Sequence, residues 1–402
     1  MKARSILFLS VILLVSLPNF SQDSESLGEI ARHARQEKAA AEHEAAVQGV
    51  SAAHQALGPI TKLQLFAWIP GASSDDLTVD VKSRGIAFDL DDVTVRDLSS
   101  AGADPSLLET LRKAVRHPEA ISGSGLVMET DVKDAAVAIK KDDFSGALRL
   151  LRKALQRDPH SPEILFALGN VFRKMEDWQN AGWAYSQVVE SQPDLGYAHG
   201  QLANVECALD DGEGAVGEAQ AMLKLLPNSA DAHRFLGRGL EAEERYEEAL
   251  RAYDQSLAIR PNDALVFYDI GIVRKDQNNY LAAIASYQRA IDLDSSKWYF
   301  FNNLGIAFRR LGRTDEAVAA FENGKALAPQ RPELLQSYGA TLCDAGRYEQ
   351  AIVQFTELLQ TTPDWNMARP CLYRALVRTG RTEEAERVKE DYKKYSPGGE
   401  SW

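Results

Sequence analysis

From residue 128 onward, large apolar positions recur with a period of 34 residues. Counting each block from its own first residue, slot 7 holds Leu168, Leu202, Leu236, Ile270, Leu304, Tyr338 and Leu372. Slot 24 holds Leu151, Tyr185, Tyr253, Tyr287, Phe321 and Phe355. Polar residues fill the remaining positions at a helical spacing, so each block predicts two short amphipathic helices. Aromatic residues recur just ahead of the second helix at Phe144, Trp178, Tyr246, Tyr280 and Tyr348. Slot 20 is alanine in every block: Ala147, Ala181, Ala215, Ala249, Ala283, Ala317, Ala351 and Ala385. Slot 32 is proline at Pro159, Pro193, Pro227, Pro261, Pro329, Pro363 and Pro397, with Ser295 in the remaining place. A fixed period of this length marks stacked repeats. One helix pair cannot bury its apolar face alone, so neighbours must complete the core. The blocks run 128–161, 162–195, 196–229, 230–263, 264–297, 298–331, 332–365 and 366–399, and they predict an all-α solenoid of about eight helix-turn-helix repeats.

Slot 8 is glycine at Gly169, Gly237, Gly271, Gly305 and Gly339, and alanine at Ala135 and Ala203. Glycine inside a helix costs roughly 0.5–1 kcal/mol relative to alanine, so recurrence at one phase needs a tertiary cause. The expected cause is close approach of slot 8 to slot 20 on the second helix. Ser161-Pro162 reads as an N-cap with proline in the first turn, and Arg331-Pro332 likewise places proline first. Some repeats depart from the pattern. Asp131 and Asp134 stand in repeat 1 where apolar residues are expected, and Glu206 and Gly212 interrupt repeat 3. Repeat 8 has Tyr373 at slot 8, Lys389 at slot 24 and Pro370 inside its predicted first helix. Its second helix, TEEAERVKEDYKKY, is strongly polar, as a solubilising end cap requires.

Small slot 8, alanine at slot 20, an aromatic at slot 24 and proline at slot 32 resemble the tetratricopeptide repeat family. The stretch FNNLGIAFRRLGRTDEAVAAFENGKALAPQ is a close match, and the resemblance covers about two thirds of the chain. It implies a right-handed superhelix with a concave groove that binds an extended peptide or partner protein. It also implies that slots 2, 5, 6, 9, 12 and 13 of the first helices face that groove. Basic residues there outnumber acidic ones, on a chain of net charge −13. The groove residues expected to contact a ligand are Asn170, Arg173, Asn204, Arg234, Arg238, Tyr268, Tyr299, Asn302 and Arg309. Some relatives clamp a C-terminal carboxylate with lysine at slot 5, a following asparagine, and a Lys/Arg pair. Here Phe166, Gln201, Asp231 and Phe235 replace those groups, so that clamp is not expected.

The chain before the repeats has a different character. Lys2 and Arg4 precede an apolar run from Ile6 to Leu17, closed by Pro18. That run is too short to span a bilayer and reads as a secretory signal over 1–21, cut before Gln22. Export to the periplasm or beyond is the expectation, with an uncleaved anchor as the alternative and no membrane span in the mature chain. Residues 22–58 are a polar helical or partly disordered arm, and 59–117 a small helical module. Within the module, Gly85 reads as a helix C-cap and Asp104-Pro105 as a helix start. Residues 118–127 form a linker, with SGSG at 122–125 as a hinge. The segments SLGEIARHARQEKA and SRGIAFDLDDVTVRDLSSAGA resemble modules at the N-termini of exported bacterial repeat proteins, with an Acidobacteria-like flavour.

An acidic balance argues against nucleic-acid binding, which needs a basic footprint. Cys207, Cys343 and Cys371 form no metal-binding spacing and no even disulfide set, so they read as small apolar residues in first helices. No phosphate loop, dinucleotide fingerprint or hydrolase motif is present, and no cofactor is expected. His199 and His233 share slot 4, a semi-buried aromatic position, and read as packing groups before metal ligands. Glu243-Glu244 and Glu383-Glu384 precede second helices and read as complements to the helix dipole. The sequence thus predicts an exported, non-enzymatic scaffold for a protein or peptide partner. The alternative is a periplasmic helper in polysaccharide synthesis or secretion, its groove aromatics stacking on sugars.

Overall fold

The structure, a computed structural model, describes residues 58–117 and 123–395. All of them fall in one compact unit, Val50–Trp402. The secretory-signal reading and most of the polar arm lie outside the described residues. Four helices form the N-terminal module: α1 (Lys62–Trp68), α2 (Ser74–Arg84), α3 (Asp92–Ala101) and α4 (Pro105–Lys113). Eight helix pairs follow: α5 (Gly123–Lys140) with α6 (Phe144–Leu155), α7 (Pro162–Lys174) with α8 (Trp178–Ser191), α9 (Gly196–Ala208) with α10 (Gly212–Leu225), and α11 (Ala230–Ala242) with α12 (Tyr246–Ile259). The series continues with α13 (Ala264–Asp276) and α14 (Tyr280–Leu293), α15 (Trp298–Arg310) and α16 (Thr314–Leu327), α17 (Pro332–Asp344) and α18 (Tyr348–Thr361), and α19 (Arg369–Arg378) and α20 (Thr382–Tyr395). Each helix packs on its partner and on the next pair. The described residues form an all-α solenoid, with β-structure limited to isolated bridges that tie Ile60 and Arg116 to Ile86 in the module.

The nearest neighbours of the slot 8 glycines are the slot 24 rings. A methyl placed on Gly169, Gly237 or Gly271 would lie 2.5, 2.4 and 2.4 Å from the ring of Tyr185, Tyr253 or Tyr287. On Gly305 and Gly339 it would strike Phe321 and Phe355 at 2.7 and 2.8 Å. The slot 24 ring, fully buried in all these repeats, therefore lies across the first helix where a Cβ would stand. That ring lies sixteen residues on in sequence, four beyond the slot 20 alanine, which is also fully buried in these repeats.

A second beat was hidden among polar residues. Asp142, Glu176, Asp210, Glu244 and Asn278 all have φ near +60°, and Gly312, Gly346 and Gly380 take the same place in the last three repeats. The turn between paired helices requires the left-handed conformation at slot 15, whatever the residue. Glu244 is thus a turn residue and not part of a helix first turn; Glu247 and Glu248 take that place in α12. Glu383 and Glu384 do stand in the first turn of α20. The next residue, slot 16, is a side-chain cap in four repeats and an arginine in the other four, of which Arg347 pairs with Asp315 of the preceding repeat. Asp143, Asp177, Asp211 and Asn279 accept a backbone N–H with their side chains. Arg245, Arg313 and Arg381 instead reach a glutamate three residues on, Glu248, Glu316 and Glu384.

The irregular repeats find local solutions. Asp131 is buried but engaged by Lys153 at 3.0 Å and by Arg157. Pro370 is not in a helix interior: a 3₁₀ turn over Asn366–Ala368 precedes α19, which puts the proline in the first turn, where its missing N–H is not needed. The SGSG hinge is not a hinge throughout, since Gly123 to Gly125 already belong to α5. Backbone N–H groups in a first turn have no intrahelical acceptor, so glycine and serine are tolerated there. No helix among the described residues is long and apolar enough to cross a membrane.

Two substitutions test these constraints by denaturant midpoint. Gly237→Ala drives a methyl into the buried Tyr253 ring and should lower stability by about 1–3 kcal/mol, despite better helix propensity. Glu244→Gly relieves the left-handed turn and should raise stability by about 1 kcal/mol.

Candidate binding groove

The first helices of the repeats present the same slots in succession, and the N-terminal module covers the first part of that row. Helix α1 ends at Trp68, and Pro70-Gly71 turn the chain before Ser73 caps α2 through the Asp76 N–H. This turn lies directly on repeats 2 to 4. Asn170 donates Nδ2 to the Ala67 carbonyl at 3.0 Å and accepts from the Tyr185 hydroxyl at 2.8 Å. Gln201 donates to the Gly71 carbonyl at 2.9 Å, and Tyr197 to the Asp76 carbonyl at 3.2 Å. Ser229 donates to the Asp76 carboxyl at 3.0 Å, and Arg260 pairs with Asp75 at 2.9 Å. Trp68 packs on Tyr197 with ring centroids 5.6 Å apart. Gly71 is required here, since a Cβ on it would lie 2.1 Å from the Asn170 amide oxygen. One apolar core runs from Ile60 in the module to Phe235 in repeat 4.

Asn170, expected to meet a ligand, is therefore fully buried and has both ends of its amide engaged within the chain. Between the module and repeats 2 to 4 remains a cavity of about 210 Å³, lined by Asp76, Arg173, Gln201, Asn204, Asp231 and Arg234 among others. Arg173 Nε and Gln201 Oε1 are buried there without a hydrogen-bond partner. Arg234 pairs with Asp269 at 2.6 Å, and Arg238 donates to Asn204. Three of the expected ligand contacts thus hold neighbouring repeats together. His199 is likewise engaged: its ring nitrogens face Glu218 at 2.5 Å and the Pro193 carbonyl at 2.8 Å. Burial pulls its pKa down, but those two acceptors outweigh burial and raise it.

Beyond repeat 4 the first helices carry no module. Tyr268 and Tyr299 form an edge-to-face pair at 5.1 Å, and Tyr268 also stacks on Phe300 at 4.9 Å. Asn303 donates to the Tyr268 hydroxyl at 2.9 Å. Asn302 is 8% exposed, and its Oδ1 has no hydrogen-bond partner. Gln336, at the same slot of the next repeat, also has an unpartnered buried oxygen. Further along, Asp344 links Arg309, at 3.0 Å from Nε, to Arg374 at 3.3 Å. Met367, whose carbonyl accepts from Gln336 Nε2 at 3.5 Å, is 72% exposed. The sequence reading missed Gln336, although its slot matches that of Asn302. It also missed Asp76 and Ser229, for which no repeat pattern gives a signal.

A tetratricopeptide repeat model matches residues 135–195 and 268–332, and a second model of the same repeat matches 217–296. Among solved structures, a tetratricopeptide repeat protein from Parabacteroides merdae is 17% identical, with a TM-score of 0.49, over 63% of this chain and 100% of that one. A thermophilic repeat protein from Thermus thermophilus is 19% identical, with a TM-score of 0.43, over 45% of this chain and 99% of its own. The pilF protein of Pseudomonas aeruginosa is 21% identical, with a TM-score of 0.45, over 52% and 95%. No curated protein sequence matches the chain.

Asp76 gives the module-groove contact a pH dependence. Burial, and then Asp231, push its carboxyl up from 3.8 to about 7, against hydrogen bonds from Ser73 and Ser229. The folded state thus holds a proton that the unfolded chain releases. The contribution is full below the unfolded pKa and is lost as pH rises through about 7. Asp76→Asn, neutral throughout, should remove on the order of 2 kcal/mol of that pH-dependent loss. Glu206 and Glu241, also raised to about 7, act equally in both proteins. Denaturant midpoints of the two proteins, measured from about pH 5 to about pH 8, should therefore diverge, with the variant flatter.

Proposed function

The chain is a tetratricopeptide repeat protein, and from that premise we propose that it is a scaffold whose open groove, over repeats 5 to 8, binds an extended, acidic segment of a partner protein. The reading rests on one observation: Asn302 and Gln336, at the same slot in consecutive repeats, each bury a carbonyl oxygen with no donor. A buried acceptor left unsatisfied costs about 1–3 kcal/mol, which a ligand N–H recovers when either amide turns outward to the groove. An extended backbone supplies such donors at regular intervals, whatever its side chains. Tyr268, Tyr299 and Met367 offer apolar surface alongside for alternate side chains.

Charge selects among extended segments. Arg310 and Arg378, both at slot 13, are exposed beside the Arg309–Asp344–Arg374 chain. Against an overall charge of −13 they form a local basic rim that favours acidic side chains. The N-terminal half of the groove is left to the chain's own module, so Asn170 takes no part. The secretory reading of residues 1–21 places the partner outside the cytoplasm.

A display library of extended peptides, selected on the purified protein, should yield acidic sequences. Asn302→Leu with Gln336→Leu should weaken the best of them by about 10- to 100-fold. Asn170→Ala should leave their affinity unchanged. Equal losses at Asn170, or none at Asn302 and Gln336, would refute the assignment.

A further inference from the structure

Two cysteines that looked like ordinary core residues face each other across consecutive repeats. Cys343 is at slot 12 of repeat 7, on α17, and Cys371 is at slot 6 of repeat 8, on α19. Cys343 Sγ donates to the Cys371 carbonyl oxygen at 3.5 Å. Arg374, one turn beyond Cys371, places Nη2 4.0 Å from the Cys371 sulfur. Cys343 is 3% exposed, whereas Cys371 is half-buried. The pair thus has one accessible sulfur, one shielded sulfur and a guanidinium that stabilises a thiolate between them.

We propose that Cys343 and Cys371 are a disulfide-forming pair that staples the last repeat to the seventh. The oxidant is a small disulfide of the glutathione type. The Cys371 thiol gives its proton to the Cys343 thiolate as its sulfur attacks one sulfur of the oxidant and expels one glutathione thiolate. Cys343 then loses its proton to solvent, and its thiolate attacks the Cys371 sulfur of the mixed disulfide. The second glutathione thiolate leaves. Two electrons pass from the two cysteines to the oxidant, which becomes two thiols. Cys371 and then Arg374 hold the Cys343 thiol down to about 6 against burial, while Cys343 and burial push the Cys371 thiol up, so the resting thiolate of the pair is on Cys343. Cys207 has the opposite surroundings, and burial pushes its thiol up to about 11. Both paired sulfurs stand at groove slots, so the link fixes the spacing of the last two first helices.

The test is native oxidation of the full chain with glutathione disulfide, followed by thiol counting and peptide mapping without reductant. The chain starts with three free cysteines, Cys207, Cys343 and Cys371. The expected product retains Cys207 alone as a thiol, with the peptides bearing Cys343 and Cys371 joined and two glutathione thiols released. Cys343→Ser should stop at a glutathione adduct on Cys371, and Arg374→Gln should slow closure several-fold. Three unreacted thiols, a lasting glutathione adduct on the native chain, or a link to Cys207 would each overturn the proposal.

Discussion

The fold depends on one steric arrangement, an aromatic ring laid across a glycine. Wherever slot 8 is glycine, the slot 24 ring occupies the volume of its missing side chain. This fixes how closely paired helices approach and therefore the pitch at which pairs stack. Repeat packing is nearest-neighbour in character, so a small change in one crossing propagates to every slot beyond it. The row of groove side chains is in register only because the crossing repeats. Asn302 and Gln336 share a slot for this reason, and so do Arg309 and Cys343.

The same row of slots serves two purposes along the chain. In repeats 2 and 3, Asn170, Tyr197, Gln201 and Ser229 meet the chain's own turn at residues 67–76. Most of those bonds go to backbone carbonyls, which is how a groove of this kind would hold any extended segment. The module is thus an internal example of the recognition proposed for repeats 5 to 8. The Asp76 carboxyl distinguishes the internal contact, since it is buried against Ser229 and near Asp231.

The solenoid was legible because its determinants repeat. Ala147 and its seven counterparts, the slot 24 rings and the caps at Ser161 and Asp104 all follow from local pattern and were placed from it. What was not legible has physical causes. Glu244 and Asn278 look like ordinary polar loop residues, and only backbone geometry shows that the turn forces them left-handed. Pro370 looked like a helix breaker because sequence does not show that the helix starts later. The module's docking was invisible because Gly71 and Asp76 belong to no repeat and their partners lie more than a hundred residues away. Arg234, Arg238 and Asn204 were read as ligand contacts because slot position gives direction but not whether a neighbour already satisfies the group.

The reach of the module has a consequence for how the molecule comes apart. A bare solenoid couples only adjacent units and can peel from either end. Here one small domain touches Glu163, Gln201, Ser229 and Arg260, and so joins three repeats that would otherwise communicate only in series. Opening any of those repeats breaks the module's hold on the others. The N-terminal half is thereby made a single cooperative block, while the last four repeats keep the graded, end-first fraying of a linear array. Amide protons in the two halves would exchange with solvent on different schedules, one all at once and the other in sequence from the C-terminus.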